Sequence, residues 1–318
     1  MTHPTPKRFQ ILSLDGGGIK GLFSAAILAK LEDDLDVQIT DHFDLIVGTS
    51  TGGVIALGLG LGIRPREIVQ FYVDKGPKIF RSMFGLNWIK HWFCRKFPQA
   101  PLRNALQECF GDKRLVESTR RLVITSYNLG ADDVYLFKTP HHERLKRDYK
   151  VPMWKVALAT SAAPTYLPAF TGVDSIRLID GGVWANNPTM VGIIEAASML
   201  GVPLQAISVL SIGTSDEVVR RPGWLDWGGK LLWAKSVSAV DVIMRGQSLG
   251  AHKQAVHLLG EDRVRRLDPK VPDGMLALDR MTADELLAMA AHESRNFSPT
   301  FEKVFKPHRA ARFEPLYT

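Results

Sequence analysis

The chain has 318 residues, 45% of them hydrophobic, and no repeat, low-complexity tract or Pro- or Ser-rich linker divides it, so one domain is the expectation. Its two cysteines, Cys94 and Cys109, exclude a disulfide framework and fit a reducing compartment. A net charge of +7 suits an anionic partner such as nucleic acid or an acidic membrane surface, and the N-terminal stretch lacks the apolar core of a secretory signal, which points to the cytoplasm.

In chain order, residues 8–15 read as a buried strand and residues 19–35 as a helix with apolar positions at helical spacing. Residues 43–48 form a second strand, and an apolar helix begins at Thr51. Residues 45–63 carry no charge and approach the length of a membrane span. Six glycines and Thr49-Ser50-Thr51 interrupt them, which favours a buried strand followed by a buried helix. A helix is expected over 65–75, strands over 122–127 and 134–137, and a helix over 153–163. Residues 175–180 read as a strand, 188–201 as a helix and 205–213 as a further buried strand. Thr282 to Glu285 has capping-box spacing and opens a last helix. Strands that alternate with helices, several apolar throughout, predict an α/β fold of three α/β/α layers around a mostly parallel sheet.

Gly16-Gly17-Gly18-Ile19-Lys20-Gly21 satisfies G-x-G-x-x-G, which holds either a dinucleotide pyrophosphate or an oxyanion. The dinucleotide site needs an acidic residue at the end of the second strand. Asp44 stands at that strand's start instead, and no Gly-Lys-Ser/Thr follows the glycines to make a P-loop. The cofactor reading therefore fails. Gly48-Thr49-Ser50-Thr51-Gly52 is G-x-S-x-G between a strand and a helix, the context that exposes a nucleophilic serine. A glycine-rich structural turn would show the same letters.

Histidine is the usual partner of such a serine. His252, His257 and His292 fall in amphipathic helices, and His141-His142 lies in a charged stretch that reads as solvated surface. Asp180 is better placed. It ends what reads as a parallel strand, before Gly181-Gly182, and points toward the crevice where α/β sites are built. Partial burial would raise its pKa enough for it to take the serine proton. A turn-forming Asp-Gly-Gly is the plainer account of Asp180 taken alone.

Asp15 to Gly21, Gly48 to Gly52 and Asp180-Gly181-Gly182, in that order, resemble the patatin-like phospholipase family, as does "ATSAAPTYLPAF" over 159–170. The likeness runs from about residue 8 to residue 213. It implies a patatin-like fold and a Ser–Asp dyad that hydrolyses acyl esters of phospholipids. Ser50 would be the nucleophile, Asp180 the base, and the backbone N–H groups around Gly16, Gly17 and Gly18 the oxyanion hole. Lys20 departs from the family, which more often has arginine there. A narrower likeness is to compact bacterial members that act as effectors in cyclic-oligonucleotide anti-phage signalling. It implies a cyclic di- or trinucleotide activator and a membrane phospholipid substrate, with self-association a further expectation.

The resulting expectation is one domain over residues 1–318. Its core spans about 8–213, and a C-terminal helical, regulatory part about 214–318. No cofactor, metal or nucleic-acid polymer is expected. Trp88 and Trp92, with Lys90, Arg95 and Lys96, and Trp224, Trp227 and Trp233 mix aromatic with basic character. Such segments suit the inner membrane surface or a lid over the acyl site. Three other readings compete: a binding protein that has lost catalysis, a nucleic-acid-binding module that would account for the charge although its basic residues are scattered, and a constitutive acyl hydrolase or acyltransferase acting on other esters.

Overall fold

Strand β1 (Phe9–Leu14) is buried at every position and stands between β2 (Leu45–Gly48) and β6 (Ile207–Ile212), parallel to both. The structure, a computed structural model, describes residues 8–80, 98–164, 166–214, 216–217, 238–271 and 283–318. Thr282 and the two tryptophan segments lie outside these residues. Neither "FQILSL" nor "ISVLSI" alternates with polar residues, because helices cover both faces of the sheet.

The main path of the sheet runs β4-β3-β2-β1-β6-β8. Here β3 is Arg121–Asn128, β4 is Asp133–Lys138 and β8 is Val264–Leu267. All neighbours on this path are parallel except the β3–β4 pair. A short pair, β7 (Asp216–Glu217) with β9 (Lys270–Val271), stands apart. Successive side chains point to opposite faces. Leu12, Ile46 and Leu210 join one core, with α1 (Gly21–Leu35) and α2 (Thr51–Gly60). Ile11, Val47 and Val209 join the other, with α7 (Thr189–Ser198) and α8 (Ser238–Leu259). This is the expected three-layer α/β/α arrangement. The uncharged stretch 45–63 is β2 and α2, buried throughout both elements. No helix among the described residues is long and apolar enough to cross a membrane.

Helix α3 (Pro65–Phe80) and helix α5 (Met153–Thr160) lie where expected, and α4 (Gln99–Phe110) and the one-turn α6 (Gly182–Ala185) are additions. Three further expectations change. The strand over 175–180 shortens to β5 (Leu178–Asp180), because Asp174 and Ser175 adopt positive φ and turn the chain. β5 pairs antiparallel with β3, not parallel. The stretch 214–318 is not purely helical, since β8 lies in the main sheet. Arg265 and Arg266 at its centre hide the apolar pattern of a four-residue strand.

His141 is also corrected. It is buried beneath the sheet edge, where Thr139 Oγ1 and Glu195 Oε1 lie 2.9 Å from its two ring nitrogens. Burial, only partly opposed by Glu195, lowers its pKa and keeps it neutral. Lys138 supplies the charge that pairs with Glu195.

Candidate active site

β2 and β5 approach each other head-on along one flank of β3. Gly48, the last residue of β2, is in register with Ile124, and Asp180, the last residue of β5, with Ser126. Two strands ending this close on one template bring Ser50 and Asp180 face to face across a sequence gap of 130 residues.

Ser50 sits in the turn between β2 and α2 with φ 54° and ψ −124°, a conformation an L-residue adopts only under constraint. The constraint comes from close backbone contacts. A Cβ on Gly48 would lie 2.4 Å from the Gly52 carbonyl oxygen, and one on Gly52 would lie 2.2 Å from that of Leu14. Thr49 pins the turn from below. Its N–H donates to Leu14 O at 3.1 Å, and its hydroxyl donates to Ala185 O at 2.5 Å while accepting from Thr125. The Ser50 N–H donates to Thr160 Oγ1 at 2.8 Å. What remains free to point outward is the Ser50 hydroxyl.

That hydroxyl donates to Asp180 Oδ2 at 2.6 Å. The other carboxylate oxygen accepts the Gly182 N–H at 2.7 Å, which fixes the plane of the group. Asp180 is 5% exposed, and its own N–H donates to Ala162 O. Burial pushes its carboxyl up to about 6, against the lowering effect of the Ser50 and Gly182 hydrogen bonds. Gly181 is required here because a Cβ would strike Thr125 at 2.1 Å. A carboxylate with this pKa, bonded to a hydroxyl, can take up the hydroxyl's proton at neutral pH.

The three loop glycines stand in different surroundings. Gly16 is buried and its N–H donates to Asn186 O at 3.0 Å. Gly17 is half-buried, and its N–H donates to Thr51 Oγ1 at 3.2 Å. A Cβ there would sit 2.2 Å from Thr214 Oγ1. Gly18 has φ +60° and opens a 3-10 turn over Gly18–Lys20, where a first donor has no partner within the turn. Ser50 and this loop adjoin, since a Cβ on Gly16 would lie 3.2 Å from Ser50 Cβ.

No histidine is hydrogen-bonded to Ser50 among the described residues. His257 and His292 are exposed on α8 and on α9 (Ala283–Val304). His252 is half-buried on α8, and burial lowers its pKa. Sequence reasoning missed Thr160, which lies 110 residues from the serine it holds, and Arg266, which bonds Asp15 at the head of the glycine loop. Thr160 stands in the stretch 159–170 that resembles the family, but nothing in its letters directs it to Ser50, and Arg266 belongs to no motif, so only the fold brings them in.

A family model described as Patatin-like phospholipase matches residues 12–193. A cGAMP-activated phospholipase of Escherichia coli (strain TW11681) is 38% identical over 224 residues, 66% of this chain and 63% of that protein. One of the same name from Pseudomonas aeruginosa (strain BWHPSA011 / Pa011) is 33% identical over 287 residues, 86% of this chain and 83% of the relative. Among solved structures, VipD from Legionella pneumophila shares the fold at a TM-score of 0.50 and 11% identity, over 96% of this chain and 68% of VipD. The match over residues 12–193 takes in the serine, the aspartate and the glycine loop, and it makes this chain a member of the patatin-like phospholipase family.

Proposed function

We propose that the protein is a serine lipid acyl hydrolase of the phospholipase A type, working through a Ser50–Asp180 dyad. The observation that carries the reading is the 2.6 Å hydrogen bond from Ser50 Oγ to Asp180 Oδ2 at a strained strand–helix turn. Asp180 removes the hydroxyl proton as Ser50 Oγ attacks the acyl carbonyl carbon. The carbonyl oxygen gains the negative charge and is received by the N–H groups of Gly17 and Gly18. Gly16 is left out of this donor set because the main-chain Asn186 O holds its N–H at 3.0 Å, whereas the Gly17 N–H turns to the oxyanion by releasing its longer 3.2 Å bond to the Thr51 hydroxyl. As the intermediate collapses, Asp180 returns the proton to the departing lyso-lipid oxygen. Water then attacks the acyl-enzyme as Asp180 accepts its proton, and Asp180 passes that proton to Ser50 Oγ as the Ser50–acyl bond breaks and the fatty acid leaves.

Two relatives are named for activation by cGAMP, and the proposal extends to this chain. A cyclic dinucleotide switches the hydrolase on, and the substrate is phospholipid at the inner membrane surface. The net charge of +7 supports attraction to an anionic bilayer.

The test is fatty-acid release from anionic phospholipid vesicles by the native protein, Ser50→Ala and Asp180→Asn, with and without a panel of cyclic di- and trinucleotides. Release by the native protein alone, dependent on one nucleotide, is the expected result. Release without nucleotide removes the regulatory half of the proposal. Release by Ser50→Ala overturns the dyad.

A further inference from the structure

Resting on the hydrolase reading, we infer that Arg266 is a positioning residue for the oxyanion loop and acts through Asp15. The loop's three glycines have no side chains with which to hold themselves, and glycine loses more conformational freedom on ordering than any other residue. Donors that must be fixed before the reaction therefore need a clamp from outside the loop.

Arg266 supplies one from the far side of the sheet. It lies on β8, in register with Ser211 of β6. Its Nη2 donates to Asp15 Oδ2 at 2.6 Å and to Asp268 Oδ2 at 2.7 Å, and its Nη1 donates to Ser211 Oγ at 2.7 Å. The Arg266 and Asp15 side chains are 9% and 3% exposed. Asp15 immediately precedes Gly16, and its own N–H donates to Ile212 O at 3.0 Å. Both its backbone and its side chain are thus tied to the β6–β8 edge.

The second arm of the fork reaches the loop by another route. Asp268 packs so closely on Gly213 that a Cβ there would lie 2.1 Å from Asp268 Oδ1. Thr214, the next residue, forms the wall against which Gly17 sits. One guanidinium therefore holds the residue that leads into the glycines and braces the strand end they lean on. Its charge also lets buried Asp15 and half-buried Asp268 share one nitrogen, where without it the two carboxylates would repel. The planar fork matters, because an ammonium cannot bond three acceptors in this fixed geometry. Arg266 has no hydrogen bond to Ser50 or Asp180, so its part in turnover is placement.

The experiment measures kcat and KM on a monomeric short-chain ester, in any activating nucleotide, for the native protein, Arg266→Ala, Arg266→Lys, Asp15→Asn and the Arg266→Ala/Asp15→Asn double variant. Loss of loop placement is expected to cost about 10²-fold in kcat for Arg266→Ala with little change in KM. Arg266→Lys should fall between it and the native protein. The double variant should be no slower than Arg266→Ala, because both changes cut the same link. The pH inflection near 6 that belongs to Asp180 should persist in every active variant. If Arg266→Ala does not fold, Arg266→Lys and Asp15→Asn make the same comparison. A lowered Tm with kcat per folded molecule intact overturns the inference, and so do fully additive losses. A native chain that hydrolyses nothing overturns both this and the hydrolase reading, whereas an active native chain with undiminished Arg266→Ala overturns this alone.

Discussion

At Asp180 two requirements oppose each other. In the proposed dyad the group must be ionised to accept the Ser50 proton, yet burial favours its neutral form and moves its pKa from 3.8 to about 6. Because the folded state holds the proton more tightly than the unfolded chain, Asp180's contribution to stability is complete below 3.8 and is lost as pH rises through about 6. The difference corresponds to about 3 kcal/mol at neutral pH. Asp180→Asn should therefore abolish turnover and raise stability by up to about 3 kcal/mol at pH 8 while changing little at pH 4. Thermal denaturation at the two pH values checks the sign. In the native enzyme, kcat/KM should fall about tenfold per pH unit below the inflection near 6, as a single essential base requires. A flat profile from pH 5 to pH 8 would remove Asp180 from the role of base.

Among the elements, the strand–helix turn at Ser50 depends on backbone contacts that only glycine allows. Gly52→Ala would place a methyl 2.2 Å from the Leu14 carbonyl. Leu14 belongs to the central strand and cannot move without opening β1 from β6. Overpacking of this kind costs about 1–3 kcal/mol. We expect a lowered Tm together with loss of Ser50 reactivity toward a fluorophosphonate, read by mass spectrometry. Native labelling in Gly52→Ala would show that the turn tolerates a side chain. These turns were legible in the sequence because glycine spacing marks them directly, and β1, β2, α1 and α2 were legible as long apolar runs or helical periods. The direction of β5 was not, since three strand residues read the same either way. Nor was His141, whose charged neighbours in "HHERLKRDYK" conceal a buried ring bonded to Glu195. Arg266 escaped for a related reason: in a short strand beside Arg265 it reads as surface charge, and only the sheet order brings it to Asp15.

For the whole molecule, the question is whether the last part of the chain folds with the site or apart from it. α9 lies along α1, and Phe297 and Phe301, with Phe305 just beyond the helix, enter the same core as Leu12, Ile46 and Ile124. Phe305 is fully buried, with its ring 5.7 Å from that of Phe43, which leads into β2. Beyond it, His308 Nε2 lies 2.7 Å from Asp44 Oδ2, and the Ala310 N–H donates to Asp41 O. The tail thus covers the N-terminal end of β2, opposite the end that carries Ser50. These contacts couple the end of the chain to the strand that presents Ser50, so the molecule should unfold as one unit. Phe305→Ala, which empties a site between β2 and α9, is expected to cost about 3–5 kcal/mol. Calorimetry should show one transition shifted downward, with Ser50 labelling lost at the same temperature as helicity. A separate low-temperature transition that left labelling intact would instead make the C-terminal part an independent module resting on a self-sufficient catalytic body.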